Sequence, residues 1–122
     1  MPAKVVDASV MAAWCFREPR AQDALGLIGD SELYAPLLLA YELASIARRK
    51  AIAYPGKLGV LGDALRTALL LPIHWTDVDH VSVLGLAMAT NLTTYDASYL
   101  YVARVLGVPL VTFDERLSRA AG

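Results

Sequence analysis

The chain has a single cysteine, Cys15, so no internal disulfide can stabilise it. That cysteine lies in an apolar segment and reads as core. No apolar run approaches the roughly 18 residues that a membrane span requires. Asp7 interrupts the apolar stretch that follows Lys4, so the N-terminal segment does not read as a signal peptide. A reducing cytoplasm is the expected location. Excess charge of one sign is also missing. Eleven Lys and Arg face 12 Asp and Glu, for a net charge of -1. No global basic field advertises nucleic acid, so any such binding must use a local patch or a metal. Repeats, low-complexity tracts and long linkers are absent. The 122 residues therefore read as one domain over 1–122. A chain of that length buries roughly two-thirds of its unfolded surface.

What is abundant is apolar: 57% of residues are hydrophobic and only 19% charged. That balance suggests a surface covered by a partner or a second copy. Strand patterns alternate with helical ones. Val5-Val6 is a short buried strand ending at Asp7, and Val10 to Phe16 continues as an apolar helix. Pro19 opens a helix through Gly29, and Leu33-Tyr34-Ala35 is a second strand closed by Pro36. A long helix runs from Pro36 to about Ala51, with Arg48, Arg49 and Lys50 in its last turn, where the helix dipole favours cations. Another extends from about Leu58 to Leu71, and Ile73-His74-Trp75 is a third strand. Asp77 or Asp79 caps a helix through about Asn91, Thr93 or Thr94 caps one from Tyr95 to Leu106, and Gly107 stops it. Pro109 to Phe113 is a fourth strand, and Asp114 caps a final short helix. The alternation predicts an α/β fold, a three-layer α/β/α sandwich around a parallel sheet of four strands.

Most acids have ordinary positions. Asp63 lies three residues before Arg66 as a surface pair, and Glu115 neighbours Arg116. Four acids differ. Asp7 is the only charge between Val5 and Phe16, Glu42 between Leu33 and Ala47, and Asp96 between Val81 and Ala103. Asp114 follows the largely apolar run from Val105 to Phe113. A buried carboxylate is costly unless paired, protonated or bound to metal. No Lys or Arg lies within a helical turn of Glu42 or Asp96. Asp7 has a competing reading as a simple N-cap, a role Ser9 could also take. If the first and fourth strands are central neighbours, Asp7 and Asp114 flank the point where strand order reverses, the usual ligand crevice of open α/β sheets. Glu42 shares a helix face with Leu38, Ser45, Ile46 and Arg49. A pair of clustered carboxylates at about 5 Å costs roughly 3 kcal/mol at an effective dielectric of about 20. A divalent cation offsets that repulsion. All-oxygen ligands without Cys or nearby His favour Mg²⁺ or Mn²⁺ over Zn²⁺.

The segments VVDASV, AYELASIARR, TTYDASYLYVA and VTFDERL, in this order and spacing over nearly the whole chain, resemble the PIN-domain ribonucleases, specifically VapC-type toxins of toxin–antitoxin pairs. The resemblance implies a PIN-like sandwich, Mg²⁺- or Mn²⁺-dependent cleavage of RNA, a homodimer and an inhibiting antitoxin. It carries the acidic pocket onto Asp7, Glu42, Asp96 and Asp114. Asp7, Asp96 and Asp114 are expected to hold the metal, directly or through water, with Glu42 completing the site. Ser9 and Thr112 match small hydroxyl positions that bond a ligating carboxylate or a metal-bound water. Relatives usually continue past the last helix into a fifth strand, so the sheet is expected to be four-stranded here, with a fifth strand in question.

Other readings stand beside these. Arg48, Arg49 and Lys50 either steer RNA phosphates or form a solvated helix end. Tyr95, Tyr99 and Tyr101 either stack bases or, for Tyr99, pack inside. His74 and His80 have no partner with metal-ligand spacing, and Trp14, Trp75 and Met88 read as core or interface. A catalytically silent binding module and a phosphoaspartyl enzyme are the rival functions. The second rival is weakened by Ser9 where a DxD phosphatase needs a second acid, and by the lack of a lysine after the late strand.

Overall fold

A computed structural model describes residues 2–122. Four strands, β1 (Ala3–Val6), β2 (Glu32–Pro36), β3 (Ile73–Thr76) and β4 (Leu110–Val111), form one all-parallel sheet in the order β3-β2-β1-β4. The helices are α1 (Ala8–Cys15), α2 (Ala21–Ile28), α3 (Leu38–Ala53), α4 (Leu58–Leu69), α5 (His80–Thr90), α6 (Thr94–Leu106) and α7 (Glu115–Ala121), with a 3-10 turn at Pro55–Lys57 before α4. The crossovers from β1 to β2 and from β2 to β3 run the same way, whereas the one from β3 to β4 returns past both. Right-handed connections therefore put α1–α4 on one face and α5–α6 on the other. The helix contacts follow this division: α1 meets α2, α3 and α4, while α6 meets α5 and α7. No helix among the described residues is long and apolar enough to cross a membrane.

The order reverses between β1 and β4, which pair Val5 with Leu110 and Val6 with Val111. The strands that lead to Asp7 and Asp114 are thus neighbours, as expected, but they are not both central. β1 is interior, but β4 lies at the sheet edge and is shorter than its sequence pattern predicts. Pro109 has no N–H to give and only accepts, from Val5 N at 2.8 Å. Beyond Val111 the Phe113 N–H donates to Ser9 Oγ in place of a ladder bond, and the Thr112 hydroxyl donates to Asp7.

Other boundaries moved for local reasons. Pro36 is the last residue of β2, opposite Thr76, and α3 starts at Leu38 because the chain must first turn out of the ladder. Pro19 lies in a turn that begins with Arg17 at φ 52°, so α2 starts only at Ala21. α4 ends at Leu69 in a tightened turn, Leu70 N donating to Thr67 O and Leu71 N to Ala68 O. Caps at Thr93, whose Oγ1 accepts from Asp96 N, and at Gly107 in the left-handed region match the sequence pattern.

Val5, Val6, Val10, Met11, Leu39, Leu43, Leu100, Val102 and Leu117 are fully buried around the sheet. Cys15 is only half-buried against this core, and its desolvated thiol is pushed up to about 11. Asp63 and Arg66 form the expected exposed pair at 3.1 Å, and Glu115 pairs with Arg119 at 3.9 Å. Lys50 is tied to Glu18 at 2.7 Å, joining the end of α3 to the α1–α2 turn, so it is not available to steer phosphates. Truncating the fully buried Leu43 to Ala should cost ~2–5 kcal/mol in urea unfolding. Asp63→Ala, at an exposed ion pair, should stay within about 0.5 kcal/mol of wild type in the same measurement.

Candidate active site

Asp7 follows β1 directly and is the N-cap of α1. It is only 5% exposed, and both of its carboxylate oxygens accept hydrogen bonds. Oδ1 accepts from Ser9 Oγ at 2.7 Å and from Val10 N at 3.2 Å, while Oδ2 accepts from Thr112 Oγ1 at 2.5 Å. Each hydroxyl also accepts from the turn after β4: Ser9 Oγ from Phe113 N and Thr112 Oγ1 from Asp114 N, both at 2.9 Å. The N-cap reading of Asp7 is therefore observed, and the two hydroxyls join that cap to the turn after β4. Asp114 is the exposed N-cap of α7, its Oδ1 accepting from Leu117 N at 2.9 Å. Glu42 is half-buried in the middle of α3, and its Oε1 accepts from the Tyr99 phenol at 2.6 Å. Asp96 is half-buried in the first turn of α6.

The four acids come from four elements to one end of the sheet, yet they do not line a single cavity. Glu42 opens into a groove of about 470 Å³ with Leu38, Ser45, Ile46, Arg49 and the exposed Tyr95, which includes the α3 face predicted from spacing. Thr112 and Asp114 border a different cleft of about 720 Å³ on the α2–α7 side, where Arg20 stacks on Phe113 at 3.7 Å. Among the described residues no three His, Cys, Asp or Glu side chains converge closely enough to hold a metal ion.

A family model described as the PIN domain matches residues 4–122. The chain belongs to the PIN-domain family, on the VapC-type branch. It is 36% identical over 121 residues to a VapC ribonuclease of Mycobacterium bovis, covering 93% of this chain and 87% of that one. It is 30% identical over 119 residues to ribonuclease VapC3 of Pyrobaculum aerophilum, covering 93% and 91%. In three dimensions it resembles the crystal structure of PAE2754 from Pyrobaculum aerophilum, with a TM-score of 0.81, 26% identity and coverage of 98% of this chain and 84% of that one. The PIN-like α/β/α sandwich with a parallel sheet is the observed fold.

The electrostatics of this PIN domain treat the acids as one group. Burial pushes the Asp7 carboxyl up, its three hydrogen bonds oppose that rise, and Asp96 adds to it. Burial likewise raises Glu42, against the Tyr99 hydrogen bond and with repulsion from Asp96 and Asp7. Asp96 is raised by burial and by Asp114, with Thr93 and Arg116 acting in the other direction. Burial beside Glu42 holds the Tyr99 phenol far above its ordinary value. No ion pair reaches Asp7 or Glu42 among the described residues. An all-oxygen, mutually repelling donor set, with a single guanidinium (Arg116) acting on Asp96, fits a hard dication in its chemistry. As placed, the side chains must still rotate to close on one.

Two contributors are invisible to local sequence patterns. Arg116 acts on Asp96 from 20 positions away, and Tyr99 reaches Glu42 across 57. The Y-D-A-S-Y spacing around Asp96 was the available signal for Tyr99, since it places two tyrosines on one helix beside the acid. Tyr99 packs inside, whereas Tyr95 is exposed and Tyr101 half-buried. His74 stacks on Tyr34 with ring centroids 4.5 Å apart and His80 is exposed. Trp14 is half-buried against the core, whereas Trp75 and Met88 are exposed.

The raised carboxyls of Asp7, Glu42 and Asp96 mean that the folded chain holds protons which the unfolded chain releases. Stability from this source is complete below the unfolded values of 3.8 for Asp and 4.5 for Glu. It is lost as pH rises through the higher folded-state values. Metal-free Asp96→Asn should therefore melt above wild type at neutral pH, with the gap closing below about pH 4. Calorimetric melting curves across that range check it.

Proposed function

We propose that this chain is a Mg²⁺- or Mn²⁺-dependent endoribonuclease, the toxin of a toxin–antitoxin pair. The observation that carries the reading is VapC-type PIN membership in a chain whose four embedded acids, from β1–α1, α3, α6 and the β4–α7 turn, lie at one end of the sheet. The VapC ribonuclease names of its relatives support RNA as substrate. In this reading Asp7, Asp96 and Asp114 hold the ion, directly or through water, and Glu42 completes the site. A divalent ion held there supplies a water activated at neutral pH and charge to offset that developing on the phosphodiester oxygens. Ser9 and Thr112 keep the Asp7 carboxylate in one rotamer, and their acceptance of Phe113 N and Asp114 N fixes the turn that carries Asp114. Arg49, on the groove beside Glu42, is placed to meet a substrate phosphate.

The chain acts as a homodimer in the cytoplasm under an inhibiting antitoxin. Val81, Leu84 and Met88, 77%, 54% and 78% exposed, form an apolar stripe on α5 that supports self-association. Their spacing of three and four residues puts them on one helix face.

Two experiments test the reading. Asp7→Asn should lower RNA cleavage by at least about a thousandfold, the scale of losing a principal electrostatic contributor. A folded Asp7→Asn protein with full metal-dependent activity refutes the assignment. Leu84→Glu combined with Met88→Lys should convert a dimer into a monomer in light scattering after size exclusion; a dimer that survives both changes places the contact elsewhere.

A further inference from the structure

We propose that Tyr99 is a positioning residue of this site: its phenol holds the Glu42 carboxylate in one orientation and leaves the second oxygen free for an incoming divalent cation. The proposal rests on the metal-dependent reading above and deepens it. Glu42 projects from the middle of α3 on a side chain with several free torsions, and Tyr99 Oη is its only side-chain hydrogen-bond partner among the described residues. The bond is short, 2.6 Å from Tyr99 Oη to Glu42 Oε1. The ring behind it is 1% exposed and among the largest fully buried side chains, so packing fixes the direction of the hydroxyl. A carboxylate accepts at two oxygens and a phenol has one proton to give, so one contact orients Glu42 without consuming it.

The chemistry of the donor matters as much as its position. A lysine or arginine at this place would pair with Glu42 and compete with a cation for it. A neutral phenol restrains the carboxylate and leaves its charge available. Tyr99 lies one turn after Asp96 on α6, so the helix that supplies one acid also sets the orientation of another on α3. α3 and α6 are otherwise sparsely packed against each other, so this hydrogen bond joins two helices with few other contacts. Phenylalanine would fill the same core volume, so packing alone does not call for the hydroxyl.

The test is Mn²⁺ binding to the full chain by calorimetry, with melting curves to check folding. Tyr99→Phe should bind Mn²⁺ about tenfold more weakly, the scale of losing a hydrogen bond to a charged group. Tyr101→Phe, on the same helix but away from Glu42, should bind as wild type does. In the Glu42→Gln background the further change Tyr99→Phe should alter affinity by less than about twofold, since its effect passes through the lost carboxylate. An equal loss in both backgrounds, or a Tyr99→Phe chain that no longer folds, makes the phenol a structural strut and overturns the proposal. So does an unchanged affinity in the single variant. A wild-type chain that binds no Mn²⁺ at millimolar concentration removes the metal-dependent reading itself, and the positioning role with it.

Discussion

The Asp7 carboxylate is the point at which fold and site depend on one another. A charged group with so little access to water is tolerated because Ser9, Val10 and Thr112 all donate to it. Those donors are not local decoration. Val10 N is the start of α1, and Thr112 arrives from the far end of the chain. The two hydroxyls pass the connection on by accepting from Phe113 and Asp114. The β1–α1 and β4–α7 turns are thereby held together at the crevice beside the sheet's reversal of order. Networks of this kind specify one arrangement because any partly satisfied alternative leaves a polar group buried without a partner.

The same arrangement carries an electrostatic cost. Burial and mutual repulsion raise Asp7, Glu42 and Asp96, and the counterweights are small: hydroxyls at Ser9, Thr112 and Thr93, the Tyr99 phenol, and a single remote guanidinium at Arg116. Neutral donors dominate that set. They orient the acids without pairing their charge, the condition under which a site stays attractive to a hard cation. Lys50 is paired with Glu18, and Arg20 with Asp23 and the face of Phe113, while Arg49 lines the groove beside Glu42.

The apolar surplus in composition divides between the core and the surface. Val5, Val6, Val10 and Leu39 fill the space around the sheet, while Val81, Leu84 and Met88 remain outside it on α5. Periodicity could not separate these groups, because α5 is apolar on nearly every face. The sheet order assigned α5 to an outer layer, where part of its circumference meets nothing in this chain.

Local chemistry alone was enough to mark the alternating elements, the caps at Thr93, Gly107 and Asp114, and the four acids standing in apolar surroundings. Each of those depends on neighbours within a few residues, which a linear reading can see. It was not enough for the edge position and shortness of β4, since a strand's length depends on what pairs with it and on which side chains claim its backbone. Nor could it reveal that Tyr99 donates to Glu42, that Arg116 acts on Asp96, or that Glu42 and Asp114 open into different clefts. Those relations join positions far apart in sequence, and only the packing of helices across a twisted parallel sheet brings them within reach.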